Sequence, residues 1–183
     1  LDEDVEFINK ERFSKLSFSG HKKISRIERK SAIIAFSTEE VYVEKDIFDE
    51  FVSKLSIRIK DIKSGDDDND DLGPIITPET RQKINEHINE VKDTCDIYSG
   101  INNGGEKYIA TTIIVDPPES SRIVNEETFG PVLTIRSFSD ESHLIEMIHR
   151  TGYGLSASIF GKDKKRISGI IGKIKTGNVS VND

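Results

Sequence analysis

The chain has 183 residues, of which 34% are hydrophobic and 32% charged, so we expect one folded domain with a buried core and not a disordered chain. Its formal net charge of -7 argues against nucleic acid and against an anionic membrane surface as partners. A single cysteine, Cys95, excludes an internal disulfide, and neither a bilayer-spanning apolar run nor a signal leader is visible. A cytoplasmic protein is therefore expected, with the mitochondrion as the alternative compartment.

The first third of the chain alternates between strand-like and helix-like hydrophobic periods, which is typical of an α/β protein. Strands are predicted over residues 15–19, 31–36 and 40–44. A helix then follows, capped by Asp46, because acidic residues favour the positive end of a helix dipole. Its apolar stripe consists of Phe48, Phe51, Val52, Leu55, Ile59 and Ile62.

An acidic segment over residues 63–73 is predicted to be a surface loop. Its alternating aspartates resemble a calcium-binding loop, but an EF-hand requires glycine at the sixth position and glutamate at the twelfth. Counted from Asp66, those positions hold Asp71 and Thr77. The pattern therefore favours a solvated loop over a calcium site.

A second helix is predicted to start at Thr77-Pro78 and to end near Lys92, since a threonine followed by proline is typical of a helix start. Three apolar residues at helical spacing face inward: Ile84, Ile88 and Val91. His87 adjoins this stripe without a second residue at metal-ligand spacing. We therefore expect a surface or boundary histidine there, and no metal site.

The remainder of the chain repeats strand and helix patterns. Strands are predicted over residues 95–98, 108–115, 132–138, 155–160 and 178–181. Helices capped by Ser139 and by Asp163 separate the last three of these strands. Connections of this kind join parallel strands, so we expect an open, mostly parallel sheet with helices on both faces.

Several motifs in the same order resemble the aldehyde dehydrogenase superfamily. The most informative is the stretch Glu126-Glu127-Thr128-Phe129-Gly130-Pro131-Val132-Leu133, which is similar to the family's cofactor-clamping segment. Further similar stretches lie at residues 16–20, 30–34, 41–43, 48–51, 72–76, 153–158 and 177–183. The resemblance covers nearly all of the chain from Leu16 onward and implies the fold of that family's catalytic domain. Residues 1–183 are accordingly interpreted as a single, partial domain of this kind.

The resemblance also implies a cofactor, NAD or NADP, and three residues that would contact it. The glutamate at Glu127 would bond the nicotinamide ribose hydroxyls, and the phenylalanine at Phe129 would lie against the nicotinamide ring. Gly20 belongs to the turn that approaches the cofactor pyrophosphate. The family's N-terminal cofactor-binding half has no counterpart among these residues.

The chain departs from the family where the reactive cysteine is expected, between the strands resembling residues 31–36 and 41–43. Here Phe36 is followed directly by Ser37-Thr38-Glu39-Glu40. A serine or threonine hydroxyl is a poor nucleophile without an adjacent base, and Cys95 fits a small buried hydrophobic residue better. We assign no catalytic residue.

The water-activating glutamate of the family also lacks a match. Counting back from Lys30 places Arg26 at its position, whereas Glu28 lies two residues too close and lacks the flanking glycines. Neither residue is assigned as a general base. Whether this chain is an enzyme therefore stays open at the level of sequence.

Three functions follow from the resemblance and its departures. The chain is a degenerate domain that serves in assembly or binding without oxidising aldehydes; or it is a portion of an NAD(P)-dependent aldehyde dehydrogenase that produces carboxylic acids; or it is a small-ligand or nucleotide binder. Shortening the crossover before the strand at residues 40–44 would expose an apolar strip on the sheet. We therefore expect a homo-oligomer or assembly with a related chain.

Overall fold

The computed structural model describes residues 39–182, so Gly20 and the predicted strands at residues 15–19 and 31–36 lie outside the described part. The helices within it are α1 Lys45–Ile59, α2 Pro78–Val91, α3 Arg122–Asn125, α4 Glu141–Arg150 and α5 Lys164–Ile171. The strands are β1 Glu40–Glu44, β2 Lys63–Ser64, β3 Ile97–Ser99, β4 Ile101–Asn102, β5 Thr112–Val115, β6 Val132–Phe138, β7 Ser156–Ile159 and β8 Asn178–Val181. A short 3₁₀ turn spans Gly105–Lys107.

The main sheet has the strand order β1-β6-β5-β3, in which β6 pairs in parallel with both β1 and β5. Only β3 runs antiparallel in it. Two further parallel pairs, β2 with β4 and β7 with β8, form separate small sheets within residues 39–182. The predicted open, mostly parallel α/β architecture is confirmed.

Helices cover both faces of the main sheet, as predicted. Successive strand residues point to opposite faces, so the apolar residues of one strand pack against helices on both. Leu133 and Ile135 of β6 pack with the buried stripe of α1. Val132 belongs to the cluster that includes Ile84 of α2, and Phe138 belongs to the cluster formed with α4 and α5. The strand β6 therefore lies at the centre of the molecule.

Two predicted helix caps are wrong by a small margin. Helix α1 begins at Lys45 with Glu44 as its N-cap, so Asp46 lies in the first turn and caps nothing. The reason is that β1 continues into α1 without an intervening loop. Helix α4 is capped by Asp140 and not by Ser139, because the Asp140 carboxylate accepts a hydrogen bond from His143 N at 2.9 Å.

Other local predictions are confirmed. The Thr77 hydroxyl accepts a hydrogen bond from Thr80 N, with Pro78 in the first turn of α2. The Asp163 carboxylate accepts from the amides of Lys165 and Arg166 at the start of α5. Caps of this kind can be recognised from sequence because donor and acceptor lie within three residues of each other.

The acidic segment over residues 63–73 begins with the short strand β2, and a loop follows up to the buried Leu72. Its tip over residues 66–69 is exposed, whereas Asp70 is buried and its carboxylate accepts from Asp67 N at 2.9 Å and from Asn103 Nδ2 at 3.2 Å. The Asp70 carboxylate is thus used to hold the loop closed. Within residues 39–182, no group of three or more potential ligands is arranged to hold a metal ion. None of the helices in the same range is long and apolar enough to cross a membrane.

Candidate functional site

Residues 126–131, here named the clamp loop, connect α3 to β6 and carry two of the three predicted cofactor-binding residues. The Glu127 side chain is exposed, and Phe129 is 39% exposed. Phe129 has a φ of 50°, a left-handed conformation that costs a residue with a side chain roughly 1–2 kcal/mol. Contacts elsewhere in the loop must therefore hold this conformation.

The first anchor of the clamp loop is His87 of α2. Its Nδ1 lies 3.0 Å from Thr128 Oγ1, and the histidine side chain is fully buried. The prediction of a surface or boundary histidine is therefore wrong. The partner lies 41 positions away in sequence, so the packing that buries His87 leaves no local signal.

The same histidine lies close to a carboxylate. His87 Nε2 is 3.4 Å from Glu126 Oε2, outside good hydrogen-bond geometry. Burial lowers the pKa of His87 below its ordinary value, and the positive charge of Arg122 lowers it further. The imidazole is therefore neutral at pH 7 and stabilises the loop as a hydrogen-bonding group.

The second anchor is Glu39, immediately before β1. Its carboxylate oxygens accept hydrogen bonds from Phe129 N at 3.0 Å and from Thr128 N at 3.2 Å. The Glu39 carbonyl also accepts from Thr134 N at 3.0 Å, on β6. Sequence analysis did not assign this residue a role, since its partners in the loop are about 90 positions away.

The third anchor is steric. A side chain at Gly130 would place its Cβ 2.5 Å from Cδ1 of Ile84, which is fully buried in α2. The backbone of the clamp loop therefore lies directly against α2, and only glycine permits this approach. Together, the three anchors place Glu127 and Phe129 at the surface on a fixed backbone.

An exposed ion-pair network lies beside the loop and joins α2 to α3. Arg122 Nη1 is 3.2 Å from Glu86 Oε2, and Arg122 Nε is 3.3 Å from Glu126 Oε1. The bond from Arg122 holds the pKa of the Glu126 carboxyl below its usual range. Because these groups are exposed, solvent screens each pair and its contribution to stability is small.

A second polar cluster lies towards the carboxyl end of β6. The buried Arg136 donates to Glu119 at 3.2 Å, and Arg150 binds the same carboxylate at 2.6 Å. The hydrogen bond from Arg150 lowers the pKa of Glu119. On the neighbouring strand the Tyr42 hydroxyl donates to Glu40, and burial raises the pKa of both side chains. The two arginine contacts join β6 to α4 through the turn residue Glu119, the Tyr42 contact lies within β1, and none of them involves Glu127 or Phe129.

Cys95 lies away from the clamp loop. It precedes β3, whose antiparallel pairing with β5 places it beyond Val115, whereas the loop enters β6 at Val132, opposite Thr112. A strand rises about 3.3 Å per residue, so the length of β5 alone separates the two by roughly 10 Å. Cys95 instead lines an open groove of about 780 Å³ between α1 and the end of α2, which neither Glu127 nor Phe129 lines.

The side chains of the clamp loop fit a nicotinamide nucleoside. An exposed carboxylate at Glu127 can accept hydrogen bonds from vicinal ribose hydroxyls, and the accessible ring of Phe129 can pack against a flat heterocycle. A nicotinamide cofactor, when bound, supplies the acceptor for a hydride. The fit covers this part of a cofactor, because Gly20 lies outside the described residues.

Comparison with protein families agrees with the motifs. Residues 31–183 match the family described as the aldehyde dehydrogenase family. A betaine aldehyde dehydrogenase of Brucella ovis is 32% identical over 151 residues, covering 78% of this chain and 31% of that protein. A 2-hydroxymuconic semialdehyde dehydrogenase of Pseudomonas putida is 31% identical over 159 residues, covering 81% of this chain and 33% of that protein.

Solved structures show the same similarity. A betaine aldehyde dehydrogenase from Staphylococcus aureus in complex with NAD+ superposes with a TM-score of 0.70 at 32% identity, covering 79% of this chain and 30% of that chain. An NAD-dependent benzaldehyde dehydrogenase from Corynebacterium glutamicum gives a TM-score of 0.72 at 27% identity, covering 80% of this chain and 32% of that chain. The chain thus spans about a third of the length of these relatives.

Proposed function

Because this chain belongs to the aldehyde dehydrogenase family, we propose that it is an aldehyde dehydrogenase-like binding or assembly domain that does not oxidise aldehydes by itself. The observation that carries the proposal is the position of its only cysteine. Cys95 lines a groove on the far side of β5 from the clamp loop. No other sulfur nucleophile is present among the 183 residues.

The chemistry of the family explains why this matters. A thiolate attacks the aldehyde carbonyl, and hydride leaves only from the resulting tetrahedral adduct. The acyl group that remains on sulfur is then released by water. A chain without a thiolate beside the nicotinamide has no adduct from which hydride can leave, even if it binds the cofactor.

Cofactor contact is the part of the family function that this chain retains under the proposal. Glu127 binds the ribose hydroxyls of NAD or NADP, Phe129 packs against the nicotinamide, and Gly20 approaches the pyrophosphate. The anchored clamp loop supports the first two assignments, because a rigid backbone presents both side chains without an ordering cost at the moment of binding.

One alternative function is supported by the relatives themselves. The chain is then a portion of a longer NAD(P)-dependent aldehyde dehydrogenase, whose remaining residues supply the thiolate and the rest of the cofactor site. The chain's span of about a third of its relatives and the intact anchoring of the clamp loop favour this alternative. Aldehyde would be converted to carboxylic acid by the whole protein.

The test uses the purified chain in two assays. Incubation with NAD+ and either betaine aldehyde or benzaldehyde is expected to give no NADH above the blank. Titration with NADH is expected to change nucleotide fluorescence saturably, with weaker binding in Glu127→Ala and Phe129→Ala. Glu146→Ala, on the exposed face of α4, is the matched control.

Two outcomes would count against the proposal. Acid-producing reduction of NAD+ that disappears in Cys95→Ser would show that the chain oxidises aldehydes. NADH binding that is equally strong in Glu127→Ala, Phe129→Ala and the control would remove the clamp loop from the cofactor site. A gene that encodes a cysteine-bearing segment between Phe36 and Ser37 would favour the alternative.

Assembly with a second copy, or with a related chain, is the other part of the proposal. Tyr153 and Leu155 are 58% and 52% exposed. Exposed apolar groups of this size favour association. Light scattering coupled to size-exclusion chromatography should give at least twice the 20.6 kDa chain mass, whereas a concentration-independent monomer would contradict this. The cytoplasm is the proposed compartment.

A further inference from the structure

The clamp loop contains a small anion-binding concavity that is already filled. Thr128 and Phe129 present two successive backbone N–H groups that converge on one point. Successive amides that converge in this way bind anions. The occupant is the carboxylate of Glu39, with one oxygen bonded to each amide at 3.2 and 3.0 Å.

The two hydrogen bonds that the Glu39 carboxylate accepts from the loop are charge-assisted. Hydrogen bonds from neutral amides to an ionised carboxylate are roughly twice as strong as those between neutral groups. Both oxygens are used, so the carboxylate determines the orientation of the peptide planes as well as their position. These planes flank the side chains of Glu127 and Phe129.

Glu39 is itself hydrogen-bonded to β6, the strand that follows the clamp loop. Its carbonyl accepts from the backbone amide of Thr134 at 3.0 Å and from the Thr134 hydroxyl at 3.3 Å. Thr134 lies on β6 only a few residues after the loop. The loop, the start of β1 and the start of β6 therefore form one closed unit with Glu39 as the link.

We propose that Glu39 is a positioning residue, which fixes the two peptide planes between Glu127 and Phe129 and thereby sets the geometry of the clamp loop for a nicotinamide nucleotide. The nucleotide part of this inference rests on the proposed function. The described bonds of the Glu39 carboxylate go to backbone amides of the clamp loop, so it acts on a bound nucleotide through Glu127 and Phe129. Loss of its charge should let the Phe129 backbone relax and should weaken binding without unfolding the domain.

The central test compares Glu39→Gln with Glu146→Gln, which removes the same charge from an exposed site on α4. Glutamine keeps the shape of the side chain, but its NH₂ group cannot accept from an amide, so one of the two bonds is lost. We expect the dissociation constant for NADH to rise about tenfold in Glu39→Gln, the equivalent of one charge-assisted hydrogen bond. The control should bind like the original chain.

A second readout reports on the anchor without any ligand. In ¹⁵N-resolved NMR spectra, the amide resonances of Thr128 and Phe129 should follow the protonation of Glu39 as the pH is lowered. In Glu39→Gln the pH response of these two resonances should be much smaller, because the bonded carboxylate is gone, and the Phe129 amide should exchange with solvent faster. Glu39→Asp, whose shorter side chain cannot reach both amides, should show faster exchange of the same amide.

The two readouts separate failure of the inference from failure of the proposed function. If the Phe129 amide is unaffected in Glu39→Gln, Glu39 does not position the loop and the inference is overturned. It is also overturned if the amide responds but NADH binding by a binding-competent chain is unchanged. If the original chain binds no NADH while the amide responds as described, the nucleotide function fails and Glu39 still positions the loop.

Discussion

The strand β6 and the pair β7–β8 are both parallel, but they differ in how far they are buried. Six of the seven residues of β6 are buried, whereas none of the eight residues of β7 and β8 is. β6 has a strand on each side and helices on both faces. β7 and β8 pair only with each other within residues 39–182. Both the larger apolar side chains of β6 and its neighbours on every side therefore favour its burial.

The difference matters because purely parallel sheets are normally covered on both faces. A two-stranded parallel pair with exposed residues is only marginally stable by itself. The clamp loop leads directly into β6, and it contacts the buried residues His87 and Ile84 of α2. Substitutions in matched pairs, one on each side, can show whether the contrast holds in solution.

The largest effect is expected for leucine truncation. Leu133→Ala on β6 removes a fully buried side chain and should lower the free energy of unfolding by about 2–5 kcal/mol. Leu155→Ala, at a residue that is 52% exposed before β7, should change it by less than about 0.5 kcal/mol. Urea unfolding followed by circular dichroism measures both. Equal losses would show that Leu155 is covered by another part of the protein or by a partner.

A smaller effect is expected for the two histidines that make long-range contacts. His87→Ala removes a buried ring and its bond to Thr128, so it should cost about 2–3 kcal/mol. His149→Ala removes a partly exposed ring whose Nε2 accepts from Lys175 N at 3.1 Å, and should cost about 0.5–1.5 kcal/mol. Thermal unfolding measures which variant loses more stability. A larger loss in His149→Ala than in His87→Ala would contradict the prediction.

Replacing glycine by alanine should change the free energy of unfolding in opposite directions in the clamp loop and in α5. Gly130→Ala drives a Cβ into Ile84 and should destabilise the protein by roughly 1–3 kcal/mol. Gly169→Ala, in α5 with no atom within 4 Å of the new Cβ, should stabilise it by about 0.5–1 kcal/mol. Adding Ile84→Val, which removes the Cδ1 atom, should recover part of the Gly130→Ala loss. Because Cγ1 of Ile84 would still lie 2.9 Å from the new Cβ, only an undiminished loss in the Ile84→Ala background as well would show that the clash is not with Ile84.

The smallest effect concerns pH. Burial keeps the pKa of folded His87 below its ordinary value of 6.5, so the unfolded chain takes up a proton before the folded chain does. The contribution of His87 to stability is therefore complete above that pH and declines as the pH falls below it. The urea midpoint should drop between pH 7.5 and 5.5, and less so in His87→Gln. His149→Gln serves as the control, and an equal drop in all three proteins would exclude His87 as the cause.

Local signals account for most of what could be predicted from the sequence. The bounds Val132–Phe138 and Asn178–Val181, the start of α2 at Thr77-Pro78 and the cap at Asp163 all match the structure. Each depends on residues within a few positions of one another. The cap at Ser139 is misplaced by one residue because the adjacent Asp140 offers an equally good capping pattern, whereas Asp46 fails as a cap because β1 runs directly into α1.

The candidate site likewise has features that local sequence signals predict and features that depend on long-range contacts. Its motif and its membership of a family could be recognised from the residues, because the order of short motifs is a property of the sequence. The burial of His87 and the role of Glu39 could not, because their partners lie 41 and about 90 positions away. The sequence by itself determined the kinds of element and their order. Only the tertiary structure decided which residues hold the clamp loop, since these contacts exist only once β1, α2 and β6 have packed together.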